Sequence, residues 1–312
     1  MRSMPLPLSS GDLLLDRRLE WARGLMEEGE AAAAAALLAE TTAAAPGFLA
    51  AWFALGEACE QSGALDEAAA AFRRAFALDP TDRLGASVRL ARLGAEPATM
   101  PPAYVRALFD QYAPRFDREL VDHLSYRGPA VVLAAIDEVA GPTTRFARVL
   151  DLGCGTGLMG AAIRSRAGEL VGVDLSPAML AEAQAKGLYE QLIAADLSDF
   201  PAGEVGAFDL IVAADMLVYF PDLAPVIAAA ARALVPGGLF AFTLEHGEGE
   251  SALGEGLRYA HGEGHLRSAA AAAGLAVRHL AAVSTRSEKA KPVTGLAAVL
   301  SRGRTAGSRQ DP

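Results

Sequence analysis

The sequence predicts two parts of different class: a small all-α region followed by an α/β region built on a mostly parallel sheet. Three observations carry this. The run Val149-Leu150-Asp151-Leu152-Gly153-Cys154-Gly155-Thr156-Gly157, followed by Leu170-Val171-Gly172-Val173-Asp174, reads as strand, glycine turn, helix, strand and acid. Apolar runs at 148–152, 169–174, 191–195, 208–213, 238–244, 275–283 and 295–301 predict seven strands, with helices in most gaps. Ahead of them, the first hundred residues repeat with a period of 34.

The repeat pairs Ala22, Gly29, Ala34, Leu38 and Pro46 with Gly56, Gly63, Ala68, Phe72 and Pro80. Small residues at fixed spacing suit helices that cross closely, and each proline ends a helix. The pattern resembles the tetratricopeptide repeat, with copies at 15–48 and 49–82. The second copy is the fuller, with Trp52, Leu55, Gly56, Gly63, Ala68, Phe72, Ala75 and Pro80; in the first, Arg18 stands where the motif has tryptophan. A third copy keeps Ala86 and Leu90 but meets Pro97 and Pro102, so 83–94 is expected to be a single capping helix. Trp52, Phe53, Phe72 and Phe76 are expected to pack the core of this region, residues 1–96. The proline-rich run 97–103 is the expected hinge, 104–301 the sheet domain, and 302–312 a frayed tail.

In the sheet domain, the glycines allow a tight turn and a close approach of backbone to ligand, and Asp174 at the end of the next strand suits two ribose hydroxyls. A nicotinamide fingerprint opening at Gly153 requires glycine at 158, where the chain has Leu158. Asp151, just before the glycines, suits the α-ammonium of a methionine moiety and repels a pyrophosphate. The frame therefore favours S-adenosylmethionine over a dinucleotide.

These residues resemble the class I S-adenosylmethionine-dependent methyltransferases over residues 104–301. VLDLGCGTG is similar to the family's first motif and VGVDLSPAML to its second; AADLSDF, FDLIVAADMLVYF and LVPGGLFAFTLE follow in the family's order. The resemblance implies a Rossmann-like methyltransferase domain with a seven-stranded sheet whose last strand is antiparallel. It implies that Gly153, Gly155, Gly157 and Asp151 form the turn, that Asp174 holds the ribose, and that Leu175, Met179 and Leu197 flank the adenine. Asp196 would accept the adenine amino hydrogens and Asp215 would bond on the methionine side. The segment 103–117 resembles the family's lead-in helix, which folds over the cofactor; on that likeness Tyr112 touches the methionine end and Tyr126-Arg127 the pocket mouth. With its repeats, the whole chain resembles bacterial methyltransferases that carry tetratricopeptide repeats.

Transfer from a sulfonium is a direct displacement, so a general base is needed only for hydroxyl or protonated amine acceptors. No catalytic residue stands out; Asp215, Tyr219, Glu245 and His261 are the candidates. His261 and His265 lie four apart among glycines, without the order or the third ligand of a zinc site, and no metal is expected.

The net charge of −10 opposes a nucleic-acid or anionic membrane partner. The fourth motif also lacks the proline pair with which amino-methylating nucleic-acid enzymes grip a planar amine. Leu13-Leu14-Leu15 is closed at once by Asp16-Arg17-Arg18, and the two cysteines form no framework, so a cytoplasmic location is the expectation. The favoured activity is methyl transfer to an O, N or C nucleophile of a small molecule. A protein methyltransferase that recruits its substrate through the repeats, and a non-catalytic S-adenosylmethionine-binding scaffold, remain open.

Overall fold

Alanine-rich stretches interrupted by glycine fold as antiparallel helix pairs: α1 (Leu13–Glu27), α2 (Ala31–Ala44), α3 (Leu49–Gln61) and α4 (Leu65–Leu78), then the shorter α5 (Ala86–Arg92). The computed structural model describes residues 9–97, 99–120, 126–197, 205–254, 256–288 and 291–303. Two compact units result, Met1–Ala107 and Leu108–Pro312. The division falls inside α6 (Pro102–Tyr112), just beyond the proline-rich run.

In the first unit the period of 34 has a steric cause. Gly29 and Gly63 close α1 and α3 at φ +85° and +81°, a conformation that glycine adopts without strain. A methyl group at Gly56 would stand 2.5 Å from the ring of Phe72, which is itself fully buried. Small and bulky positions of the repeat are thus the two sides of one helix crossing, repeated in the first copy by buried Ala22 and Leu38. Phe76 departs from the expected core role at 40% exposure, while Trp52 and Phe53 are half-buried. The Trp52 indole N–H donates to the Pro46 carbonyl at 3.0 Å.

The single helix after the repeats is shorter than the expected 83–94. Asp82 explains where it starts, because its carboxylate accepts from the N–H groups of Ala86 (2.7 Å) and Ser87 (2.9 Å). Ala86, Val88 and Leu90 are buried, and Arg89 and Arg92 reach back to Glu57 and Glu60 of α3.

The second unit continues through α7 (Phe116–Arg118), α8 (Gly128–Ala140), β1 (Phe146–Leu152), α9 (Leu158–Ile163), β2 (Ala167–Asp174), α10 (Pro177–Lys186), β3 (Gln191–Ala194) and β4 (Phe208–Ala213). Then come α11 (Ala224–Ala233), β5 (Leu234–His246), β6 (Ser251–Leu253), β7 (Tyr259–His261), α12 (Glu263–Ala272), β8 (Leu275–Val283), β9 (Ser287–Glu288), β10 (Lys291–Pro292) and β11 (Gly295–Arg302). The main sheet has the order β3-β2-β1-β4-β5-β11-β8, and β11 runs antiparallel to both neighbours. This is the expected Rossmann-like sheet of seven strands with its last strand reversed.

Both faces of the sheet are covered, which is why its strands read as nearly continuous apolar runs. Val149, Leu170, Leu210 and Val299 face Val132 and Ile136 of α8 and Met159 of α9. Leu150, Val171, Phe240 and Leu300 face Ile227 of α11 and Leu266 of α12.

Three details depart from the sequence reading. β5 begins four residues early, since Leu234 pairs with Phe208 before the register shifts to pair Leu239 with Leu210. The short β6 and β7 attach beside the end of β5, Glu245 opposite Ala260 and His246 opposite His261; three-residue strands are too brief to show a period of two. Finally, β11 extends through Arg302, which pairs with Leu275 and donates to the Leu234 carbonyl; the expected tail lies outside the described residues from 304 onward.

Candidate functional site

The glycine turn after β1 is tied to the end of β2. Gly153 and Cys154 donate their N–H groups to the Val173 carbonyl at 2.8 and 3.0 Å. Gly153 sits at φ +71°, and a side chain there would overlap Met216, with Leu197 also in reach. Asp174 is gripped on both oxygens: Oδ2 accepts from the Gly155 N–H at 2.9 Å and Oδ1 from the Ser176 N–H at 2.8 Å. Burial raises its carboxyl above the usual carboxylate range, and these backbone donors oppose the rise. Each oxygen retains acceptor capacity.

Asp151, at the end of β1, has no solvent exposure. Its Oδ2 accepts from the Tyr189 hydroxyl at 2.7 Å, while Oδ1 has no hydrogen-bond partner among the described residues. Burial pushes this carboxyl up to about 7, with the Asp174 charge adding to the rise.

A second group gathers beyond β4 and β5. Asp215 occupies the left-handed region at φ +52°, a conformation that stores strain in a residue with a Cβ. Its N–H donates to Thr243 Oγ1 at 2.8 Å, and that hydroxyl donates back to Asp215 Oδ1 at 2.7 Å. Asp215 Oδ2 is buried without a hydrogen bond and lies 3.7 Å from Arg286 Nη1. Arg286, 5% exposed, donates to Glu245, which also lies 3.9 Å from Arg258 Nη1. Burial opposes the guanidinium charge, and Glu245 and Asp215 more than restore it. Tyr126 belongs to the same group: desolvation, followed by Asp215 and Asp151, pushes its phenol well above the ordinary value.

The lead-in segment engages both groups. Asp110 accepts from Ser176 Oγ at 2.6 Å, and Asp117 accepts from Thr156 Oγ1 in the glycine turn and pairs with Lys186 at 2.6 Å. Phe109 stands edge-on to Phe116 and to Tyr219, with ring centroids 5.9 and 5.3 Å apart.

The structure therefore brings together Asp151, Gly153, Gly155, Gly157, Asp174 and Leu197, with Asp215 and Tyr219 on the neighbouring strand ends. Leu175 and Asp196 are half-buried after β2 and β3. Three further expected residues have these surroundings. Met179 is a buried residue of α10, and the Tyr112 ring lies under the Arg115 guanidinium at 4.8 Å. His261 has no exposure and stacks on His265 at 5.5 Å; burial and that neighbour lower its pKa to about 4, so the ring is neutral and sealed. Sequence reasoning missed Tyr189, Arg258, Arg286, Asp110 and Asp117. Only for Tyr189 was there a signal, in the glycines Gly160 and Gly172 that its ring requires.

Comparison with known proteins finds matches to both units. Residues 149–238 match the family model described as a methyltransferase domain, and residues 19–83 match the tetratricopeptide repeat. A ubiquinone biosynthesis O-methyltransferase of Xanthomonas oryzae is 38% identical over 104 residues, 31% of this chain and 43% of the relative. A malonyl-[acyl-carrier protein] O-methyltransferase of Enterobacter lignolyticus is 33% identical over 147 residues, 46% of this chain and 55% of that one. The chain thus spans about half the length of the curated relatives it matches. Among solved structures, the 1,6-didemethyltoxoflavin-N1-methyltransferase of Burkholderia thailandensis has the same fold at a TM-score of 0.51. It is 20% identical, and the match covers 67% of this chain and 92% of that one. Residues 149–238 of the chain thus match a methyltransferase domain, preceded over residues 19–83 by a match to tetratricopeptide repeats.

Proposed function

We propose that this protein transfers a methyl group from S-adenosylmethionine to an oxygen nucleophile of a small molecule. The observation that carries the reading is Asp174, fixed through both oxygens on the Gly155 and Ser176 N–H groups, with lone pairs to spare on each. That is the arrangement two ribose hydroxyls need. In this reading the glycine turn admits the cofactor at Gly155, where the nearest side chain to an added methyl group is Phe116 at 3.9 Å, while Gly153 and Gly157 make room for Met216 and Tyr189. Asp196, Leu175 and Leu197 receive the adenine, and the unpartnered Oδ1 of Asp151 takes the α-ammonium. An oxygen acceptor is supported by the relatives, which are named ubiquinone biosynthesis O-methyltransferase and malonyl-[acyl-carrier protein] O-methyltransferase.

When bound, the cofactor supplies an electrophilic methyl carbon on a sulfonium. The chain's own part is to hold the acceptor in line, exclude water and take up the acceptor proton. Asp215 suits the last task or the methionine side, since its Oδ2 is buried, lacks a hydrogen bond and stands on a strained residue. Tyr219, set against Phe109 of the lead-in helix, suits a wall of the acceptor site. His261, neutral and enclosed, suits neither.

The test incubates the protein with methyl-labelled S-adenosylmethionine and a bacterial lysate, separates label by size, and repeats the run with Asp174→Ala. Label in the small-molecule fraction that vanishes in the variant is the expected result. The match to tetratricopeptide repeats favours a second reading, recruitment of a protein substrate. Label on protein that depends on residues 1–96 would establish that reading instead.

A further inference from the structure

Tyr189 belongs to none of the sequence motifs, yet three glycines make room for it. A methyl group at Gly160 would overlap its hydroxyl, one at Gly172 would stand 2.9 Å from its ring, and one at Gly157 would stand 3.1 Å from it. The ring fills the gap between the glycine turn, the start of α9 and the middle of β2, and is held there with few alternatives. Its hydroxyl ends 2.7 Å from Asp151 Oδ2. A wholly buried carboxylate with one engaged oxygen and one bare oxygen is costly to keep ionised. Tyr189 supplies the side-chain hydrogen bond that lowers this cost, and Gly160 supplies a backbone one.

We propose that Tyr189 is a positioning residue for cofactor binding, whose hydroxyl fixes the Asp151 carboxylate so that Oδ1 is presented to the α-ammonium of S-adenosylmethionine. This inference rests on the function proposed above. It carries a pH dependence that the surroundings of Asp151 define. Asp174 bears on it from the end of β2, Cys154 from the turn and Tyr126 from before α8. Each of these is acidic or neutral, so none holds the carboxylate ionised by opposite charge. The ionised form binds a cation and the protonated form does not, so affinity rises with pH through the titration of Asp151.

The test is calorimetric titration of S-adenosylmethionine into the full chain between pH 5.5 and 9, for wild type, Tyr189→Phe, Asp151→Asn and the double variant. Tyr189→Phe keeps the ring and removes the donor, which moves the midpoint up by about one unit. Affinity then falls about fivefold at pH 7 and returns to within about twofold of wild type at pH 9. Asp151→Asn is expected to flatten the profile, and Tyr189→Phe to add nothing on top of it. Gly160→Ala displaces the hydroxyl by another route and is expected to reproduce the upward shift, which keeps the test open should Tyr189→Phe fold poorly. An unmoved midpoint in both variants, with wild type binding normally, overturns the role of Tyr189 alone. No binding by wild type at any pH overturns the proposed function and this inference with it.

Discussion

Gly56 facing Phe72 and Gly160 facing Tyr189 are the same steric device in two units, and they differ in what the ring carries at its tip. In the repeats the aromatic is hydrocarbon throughout, fully buried among Ala68, Ala75 and Leu90. In the sheet domain the ring ends in a hydroxyl that reaches the carboxylate of the glycine turn. The first glycine lets two helices close; the second also lets a polar group through to the site. The same contact is thus architecture in one unit and electrostatics in the other. The comparison predicts that truncating Phe72 costs stability without touching the cofactor site, and that removing one oxygen from Tyr189 is felt chiefly at the cofactor site.

The largest effect is expected from Phe72→Ala. Loss of a fully buried phenylalanine costs about 3–5 kcal/mol. The readout is thermal unfolding followed by helical circular dichroism, with S-adenosylmethionine affinity at 25 °C unchanged. A parallel fall in affinity would break the comparison, since the packing role would then reach the site. Gly56→Ala approaches the same crossing from the other side and is expected to cost about 1–3 kcal/mol, because its methyl group would stand 2.5 Å from the fully buried Phe72 ring.

Next comes Asp174→Ala, which removes the acceptor of two backbone N–H groups and the proposed ribose contact together. Charge-assisted hydrogen bonds are worth about 1.5–3 kcal/mol each, so an affinity loss of about a hundredfold is expected by calorimetry. Retention of affinity within about threefold would show that the turn binds something other than the adenosyl group.

What could be read from the sequence divides along the same line. The glycine turn, Asp174 and the seven strands were legible because a sheet covered on both faces needs continuous apolar runs, and a tight turn needs glycine at fixed intervals. The repeats were legible because a helix crossing built twice leaves a period. Tyr189 was not, since its partner Asp151 lies 38 residues away and meets it only once β3 is laid beside β2. Arg286 was hidden likewise: it stands in the connection from β8 to β11 and meets Glu245 and Asp215 across the sheet's carboxyl edge. The repeat motif also overstated Phe76, whose apolar character alone does not say which face of α4 it occupies.

The effect that most sharpens the contrast is that of Asp151→Asn on the protein without cofactor. The folded carboxyl titrates near 7, above its unfolded value of 3.8. A group raised in this way contributes stability that is fully present below its unfolded pKa and is lost as pH climbs through the folded value. Wild type therefore weakens between about pH 4 and pH 7 at this site, because a buried charge without a cation replaces a buried neutral acid. The amide cannot ionise, and its oxygen still accepts from Tyr189. At pH 8 Asp151→Asn is expected to be the more stable protein, and to show no advantage at pH 4. Paired thermal scans at the two pH values check this. A variant equally stable, or less stable, at pH 8 would mean that Asp151 stays ionised at little cost, leaving Tyr189 no electrostatic task and making its contact with Gly160 as purely steric as that of Phe72 with Gly56.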